Sequence, residues 1–437
     1  MYREKLQLLI EWKKSTNRKP LIIRGARQTG KTWLMKEFGN KAYARVVYLN
    51  FEQNNRLKEL FNTDFDISRI LAGLQIETGT GIDPDNTLLI FDEIQSVPPA
   101  ITSLKYFYEN APEYHVIAAG SLLGVALHSG ISFPVGKVDF LDLFPMTFSE
   151  FLYALNERSL NDALIQDDLK LITVYKDNFA SLLRQYYFIG GMPEVVFRFS
   201  KNRDFREVRD VQRSILNSYD LDFSKHPPAA IVPRIRMLWN SLPSQLAKEN
   251  RKFIYGLVRE GSRAKDYEIA LSWMIDSGQI SKVCRVTKPG IPLKAYEDSS
   301  SFKLFPVDIG LLSAMTDLDP KTIINGNLMF TEFKGALTEQ YVFQELRSME
   351  AFPVYYWSAE KATAETDFLI QYSDKYVPVE VKAEENLRSK SLKVFNDKFR
   401  PDVALRISMS DFRTEPWLKN IPLYALSRLP DVLAGKL

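Results

Sequence analysis

Eight residues constrain this chain more than any others. Gly25-Ala26-Arg27-Gln28-Thr29-Gly30-Lys31-Thr32 fits G-x-x-x-x-G-K-[ST], between an apolar run, PLIIR, and a helical pattern, KTWLMKEF. Glycines in such a loop let backbone N–H groups turn inward around phosphate oxygens, and the following helix adds its partial positive charge. Lys31 is then placed to reach the β- and γ-phosphates of ATP, and the Thr32 hydroxyl to bind Mg²⁺. The competing reading is a plain glycine turn. Strand before and helix after both favour the phosphate cradle, so residues 25–32 are the nucleotide-binding candidates.

A second part follows about sixty residues on. Leu88-Leu89-Ile90-Phe91-Asp92-Glu93 is an apolar strand ending in adjacent carboxylates. That ending sets Asp92 beside the waters of the Mg²⁺ and Glu93 beside the attacking water, which it orients or deprotonates. Alone, Asp-Glu at a strand end is a weak signal; with the upstream loop it becomes a strong one. One strand, RVVYLNFE, lies between the motifs, the pattern of the additional-strand P-loop ATPases. The next, YHVIAAGS, ends in Ser121, where such enzymes place a polar sensor of the γ-phosphate. Apolar runs at 20–26, 45–52, 87–93, 114–121 and 138–145, with helical patterns between the earlier ones, imply a doubly wound parallel sheet covered on both faces.

Composition narrows the remainder. A chain of 437 residues implies about three domains, and 45% hydrophobic with 25% charged residues fits packed structure rather than disorder. The net charge of +3 is too balanced to argue a nucleic-acid partner, so any basic surface is local. One cysteine, Cys284, and three scattered histidines, His115, His128 and His226, exclude a disulfide framework and zinc-finger spacing, and a reducing, cytoplasmic setting fits best. From Tyr114 to Gly136 there is no Lys, Arg, Asp or Glu. Gly120, Gly124, Gly130, Gly136 and Pro134 make this stretch a strand and loop rather than a membrane span.

The expected organisation is an ATPase core at 1–150 and a helical lid at 151–204. At 205–318, three helical patterns (VPRIRMLWNSLPSQLA, RKFIYGLVREG, AKDYEIALSWMIDSG) precede two strands, QISKVCRV and FKLFPVD, the order of a winged-helix module. Arg259, Arg263, Lys265, Lys282, Arg285 and Lys288 are its candidate phosphate contacts. At 319–437, Asp367 and the alternating Glu380-Val381-Lys382 fit the Asp…Glu-x-Lys pattern of the restriction-nuclease-like fold, with Glu339 as a further acid. Residues two apart share a strand face, so Glu380 and Lys382 could serve one divalent cation with Asp367. A buried ion-pair cluster, a solvated charged face and the remnant of an inactive nuclease remain open alternatives.

GARQTGKT, LLIFDEIQSVP, AAGSLLG, FPVGKVDFLDLFPMTFSEFL and IGGMPEVV, with GALTEQYVFQEL and DFLIQYSDKYVPVEVKA, resemble the bacterial and archaeal AAA-type ATPases that carry a C-terminal DUF4143 region. The resemblance covers nearly the whole chain and implies ATP binding and hydrolysis without a substrate. It departs at Gly136-Lys137, where the family is expected to show Gly-Arg more often; lysine supplies a point charge but no planar fork for an arginine-finger role. Gly190-Gly191-Met192-Pro193 resembles the Gly-x-Pro element with which related signal-transducing ATPases sense nucleotide, and equally fits a helix stop. The fold class expected is therefore α/β: a P-loop AAA-type core with a helical lid, a winged-helix module and a nuclease-like C-terminal domain. The leading function is an ATP- and Mg²⁺-dependent switch or motor acting on DNA. A nucleotide-gated signalling or scaffold protein and a protein-remodelling ATPase, each with an inactive C-terminal domain, are the alternatives. Oligomeric state is left open.

Overall fold

Each of the five early apolar runs forms a strand: β1 (Leu21–Arg24), β2 (Arg45–Asn50), β3 (Thr87–Asp92), β4 (His115–Ala119) and β5 (Asp139–Asp142). All pair in parallel, in the order β2-β3-β4-β1-β5. Alternation along β3 explains why both faces are covered. Leu89 and Phe91 enter one core with Phe51, Phe61, Leu104 and Phe107, while Leu88 and Ile90 enter another with Trp12, Leu34 and Phe38. The helices Asn55–Thr63, Ile67–Thr78 and Pro98–Asn110 supply the first core, and Lys5–Lys14 and Lys31–Ala42 the second. Register aligns the carboxyl ends: Asn50 pairs with Asp92, Asp92 with Ala119, and Ala119 with Ile23. In open α/β sheets that edge is where ligands bind.

These findings come from a computed structural model that describes residues 1–121, 123, 133–166, 168–248, 251–324, 331–359, 364–385 and 389–436. The chain divides into two units. One comprises Tyr2–Phe144 with the strip Trp273–Gln279, and the other Met1, Pro145–Ser272 and Ile280–Leu437. The uncharged stretch from Tyr114 supplies β4, and its residues 122 and 124–132 lie outside those described. Among the described residues no helix is long and apolar enough to cross a membrane.

The second unit opens with helices, among them Phe148–Ala154, Lys176–Ile189, Pro193–Asn202 and Phe205–Lys225. Its sheet has eight strands: β6 (Ile280–Val286), β7 (Glu297–Pro306), β8 (Val354–Ser358), β9 (Glu365–Tyr372), β10 (Lys375–Val381), β11 (Ala404–Ser408), β12 (Arg413–Thr414) and β13 (Leu418–Pro422). Their order is β12-β13-β11-β10-β9-β8-β6-β7. The strands expected as a wing, β6 and β7, thus pair antiparallel with each other and continue through β8 into the sheet bearing Asp367 and Glu380. RKFIYGLVREG, read as a helix, is helical only at Tyr255–Val258. Phe253 N–H donates to Phe302 O of β7, which holds the chain extended before that turn, and Gly256 and Gly261 weaken any longer helix.

Candidate functional site

The phosphate loop is held open by glycines that tolerate no side chain. Gly25 has φ +150°, and a Cβ there would stand 2.2 Å from Leu143 O; Gly30 has φ +92° where the helix Lys31–Ala42 begins. Thr29 is fully buried; its Oγ1 donates to Ala26 O at 2.9 Å, and Arg3 Nη1 donates to Thr29 O at 3.0 Å. Lys31 Nζ donates to Gly25 O at 2.9 Å and Ala26 O at 2.8 Å, which places its ammonium inside the loop. Burial pushes this ammonium down to about 8, against the attraction of Glu93 and Asp92, and Arg27 adds to the lowering.

β3 delivers the two carboxylates to the same place. Asp92 Oδ2 accepts from Thr32 Oγ1 at 2.7 Å and from Tyr48 OH at 2.9 Å, and Oδ1 accepts from Glu93 N–H at 3.1 Å. A hydroxyl and a carboxylate oxygen in contact are the hard donors that Mg²⁺ selects, so the residues present fit the ion. Tyr48, which sequence reasoning did not select, lies on β2 with Lys36 Nζ 3.6 Å over its ring. Burial, and then Asp92, push its phenol up to about 12, so it remains a donor. Glu93 takes the left-handed φ +52°; its Oε2 accepts from Gln95 Nε2 at 2.6 Å and its Oε1 from Ser121 Oγ at 3.2 Å. Lys31, Thr32, Asp92, Glu93 and Ser121, scattered over ninety residues, therefore meet at one edge of the sheet, as their spacing implies. Lys137 is engaged nearby with Glu109, at 3.1 Å.

The turn Gly190-Gly191-Met192-Pro193 is fixed by packing within the second unit. Gly190 has φ +75°, and a Cβ there would fall 2.2 Å from Asp308 Oδ1; one on Gly191 would fall 2.1 Å from Met146 O. Gly191 N–H donates to Asp308 Oδ2 at 2.6 Å. Asp308 is fully buried, and burial pushes its carboxyl up to about 6 against the backbone N–H groups of Gly191, Leu311 and Gly310.

Antiparallel pairing of β9 with β10 sets Asp367 beside Glu380, as the strand pattern implies, and the C-terminal acids are engaged in ion pairs. Glu339 Oε1 meets Lys303 Nζ at 2.9 Å, and its other oxygen meets Arg251. Lys303 also meets Glu365 at 2.6 Å, and Arg251 lies 3.8 Å from Asp367. Asp367 Oδ2 accepts from Val381 N–H at 2.7 Å, while Glu380 pairs with Lys382 at 2.6 Å. Burial alone would lower the Lys303 pKa, but Glu339, Glu365 and Asp367 hold it above its ordinary value. Burial pushes Glu365 up to about 7, and raises Glu380. Among the described residues no three His, Cys, Asp or Glu side chains are grouped to hold a metal ion. Of the expected set Glu339, Asp367, Glu380 and Lys382, Glu339 has both oxygens met by Lys303 and Arg251, and Glu380 is met by Lys382, the arrangement of an ion-pair cluster. Of the basic candidates, Arg285 pairs with Asp298 at 2.7 Å and Lys282 donates to Ser299 O at 3.1 Å. Arg259, Arg263 and Lys265 are exposed, with no carboxylate paired to any of them among the described residues.

Residues 17–152 match the family described as AAA domain, and residues 334–426 match DUF4143. The chain carries the AAA domain of a P-loop ATPase. That domain spans the glycine loop, both carboxylates and Ser121, and residues 180–322, within the stretch between the two matches, match DUF8612, a domain of unknown function. Among solved structures, a Walker-type ATPase of Pyrococcus abyssi is 15% identical with a TM-score of 0.46, over 72% of this chain and 95% of that one. The Aeropyrum pernix ORC1 protein, solved in complex with DNA, is 12% identical with a TM-score of 0.27, over 72% and 93%. Cdc6p of Pyrobaculum aerophilum is 13% identical with a TM-score of 0.24, over 74% and 93%. No curated protein matches the sequence.

Proposed function

We propose that the AAA domain binds ATP with Mg²⁺ and hydrolyses it, and that the second unit engages DNA without cutting it. The observation that carries the first part is the meeting of Lys31, Thr32, Asp92 and Glu93 at the carboxyl edge of the parallel sheet. Loop N–H groups and the Lys31 ammonium bind the β- and γ-phosphates, and Thr32 and Asp92 hold the Mg²⁺, which neutralises charge on the phosphate oxygens. Glu93 takes a proton from water as the water oxygen attacks the γ-phosphorus, and ADP leaves with the electrons of the broken P–O bond. Lys31→Ala removes the charge inside the loop, so ATP affinity by calorimetry should fall at least about tenfold; equal affinity in mutant and parent sinks the assignment.

The second part is supported by the contrast between Arg259, Arg263 and Lys265, which are exposed and unpaired with acids, and the C-terminal carboxylates, which are neutralised internally. Duplex DNA binding should weaken linearly in log–log against salt, and Arg259→Ala with Arg263→Ala should lower that slope by about two. Salt-independent or absent binding favours the scaffold reading. Nicking of DNA with Mg²⁺ or Mn²⁺ by the parent, lost in Asp367→Ala, restores the nuclease reading.

A further inference from the structure

Two side chains hold the Glu93 carboxylate, and one of them belongs to neither motif. Gln95 lies in the short 3-10 turn Ile94–Ser96 that follows β3. The left-handed backbone of Glu93 turns the chain back on itself, so that the Gln95 amide reaches Glu93 Oε2 at 2.6 Å. Gly120, the residue after β4, leaves space for this: a Cβ there would stand 2.1 Å from Gln95 Oε1. That Oε1 is buried and has no donor among the described residues. A buried acceptor without a partner destabilises, whereas an apolar side chain of the same shape would not. Stability therefore does not account for an amide here, and its one bond, to the candidate base, does.

We infer that Gln95 is a positioning residue for ATP hydrolysis: it fixes Glu93 Oε2, so that Oε1, shared with Ser121, is the oxygen turned to the attacking water. The inference rests on Glu93 being the base. A carboxylate without that restraint rotates about its last torsion, and a misplacement of about 1 Å at a reacting group costs up to about a hundredfold in rate. An amide donor does this without neutralising the carboxylate, which a lysine at the same distance would do.

The test uses the full chain, with ATP turnover and ATP binding measured separately. Gln95→Met keeps the shape and loses the donor; kcat should fall about tenfold to a hundredfold while the Kd for ATP stays within about twofold. Gln95→Glu sets a second carboxylate against Glu93, and two acids so close do not both ionise readily. The acid limb of its kcat–pH profile should therefore move up by about one pH unit or more. A purely structural residue would not give the split between kcat and Kd in Gln95→Met. Parental kcat in Gln95→Met, an unshifted limb in Gln95→Glu, or equal losses of kcat and ATP affinity in both would each overturn the inference. Glu93→Gln serves as the control. If it turns over ATP at the parental rate, the assignment of the base fails, and this inference with it; if it is inactive, any failure belongs to Gln95 alone.

Discussion

Two sets of acids in this chain are held by opposite means. At the carboxyl edge of the parallel sheet, Asp92 and Glu93 accept, among the described residues, only from neutral groups: the hydroxyls of Thr32, Tyr48 and Ser121, the Gln95 amide and a backbone N–H. In the second unit, Glu339, Glu365, Asp367 and Glu380 are met by Lys303, Arg251 and Lys382. Neutral donors aim a carboxylate and leave its charge available for a metal or a proton. Cations consume that charge, and the cluster becomes part of the frame. The same residue types therefore serve chemistry in one place and architecture in the other, and the partners decide which.

The largest effect that separates them is expected at Glu93. Glu93→Gln keeps the hydrogen-bonding shape but removes the proton acceptor, so hydrolysis should drop by about 10²-fold or more while ATP remains bound; single-turnover assays with labelled ATP check this. In the second unit Lys303 is fully buried, and Lys303→Met strands Glu339 and Glu365 without their shared cation. The expected cost is about 3–5 kcal/mol, read as a lower denaturant midpoint for that unit. A midpoint unchanged in Lys303→Met would break the comparison. A smaller effect is expected for Tyr48→Phe, which deletes one of the three donors on Asp92. A loss of about 0.5–1.5 kcal/mol should appear as a severalfold rise in the Mg²⁺ concentration needed for half-maximal turnover.

The smallest is a pH effect on stability. Asp308 is buried with its carboxyl at about 6, above the ordinary carboxylate range. Between roughly pH 4 and 6 the folded state thus binds more protons than the unfolded one, and stability falls as pH rises through that window. Thermal midpoints measured from pH 4.5 to 7 should decline, and Asp308→Asn should flatten that dependence even if it lowers the midpoint overall.

The grouping of the candidate nucleotide-site residues was legible because each of its motifs is local. Strand, glycine loop and helix lie within a few residues of one another, and parallel pairing then carries Asp92 and Ser121 to the same edge. Tyr48 was not legible, since its reach to Asp92 depends on the neighbouring strand, β2, pairing in register with β3. Gln95 was hidden by a backbone reversal at Glu93 that no residue type announces. The cations on the C-terminal acids were hidden for a related reason: Lys303 and Arg251 stand 36 and 88 residues from Glu339 and carry no motif of their own. β6 and β7 were visible as strands, but their continuation into the β8–β9 sheet is a pairing at long range that alternation alone does not encode.

The strip Trp273–Gln279 has a consequence for how the chain is made. It belongs to the unit that holds the glycine loop, and a Cβ at Gly278, whose φ is +77°, would come within 3.1 Å of Ala26 N. Synthesis runs from the N-terminus, and domains ordinarily fold as they emerge. Here every motif of the proposed ATP site leaves the ribosome well before the strip does, and the contacts between them close a loop across the whole of Pro145–Ser272. Pairings so distant in sequence form late. A nascent chain halted before residue 273 therefore displays a glycine loop whose surroundings are unfinished, and the unit that holds this loop is completed only once residues 273–279 have been made.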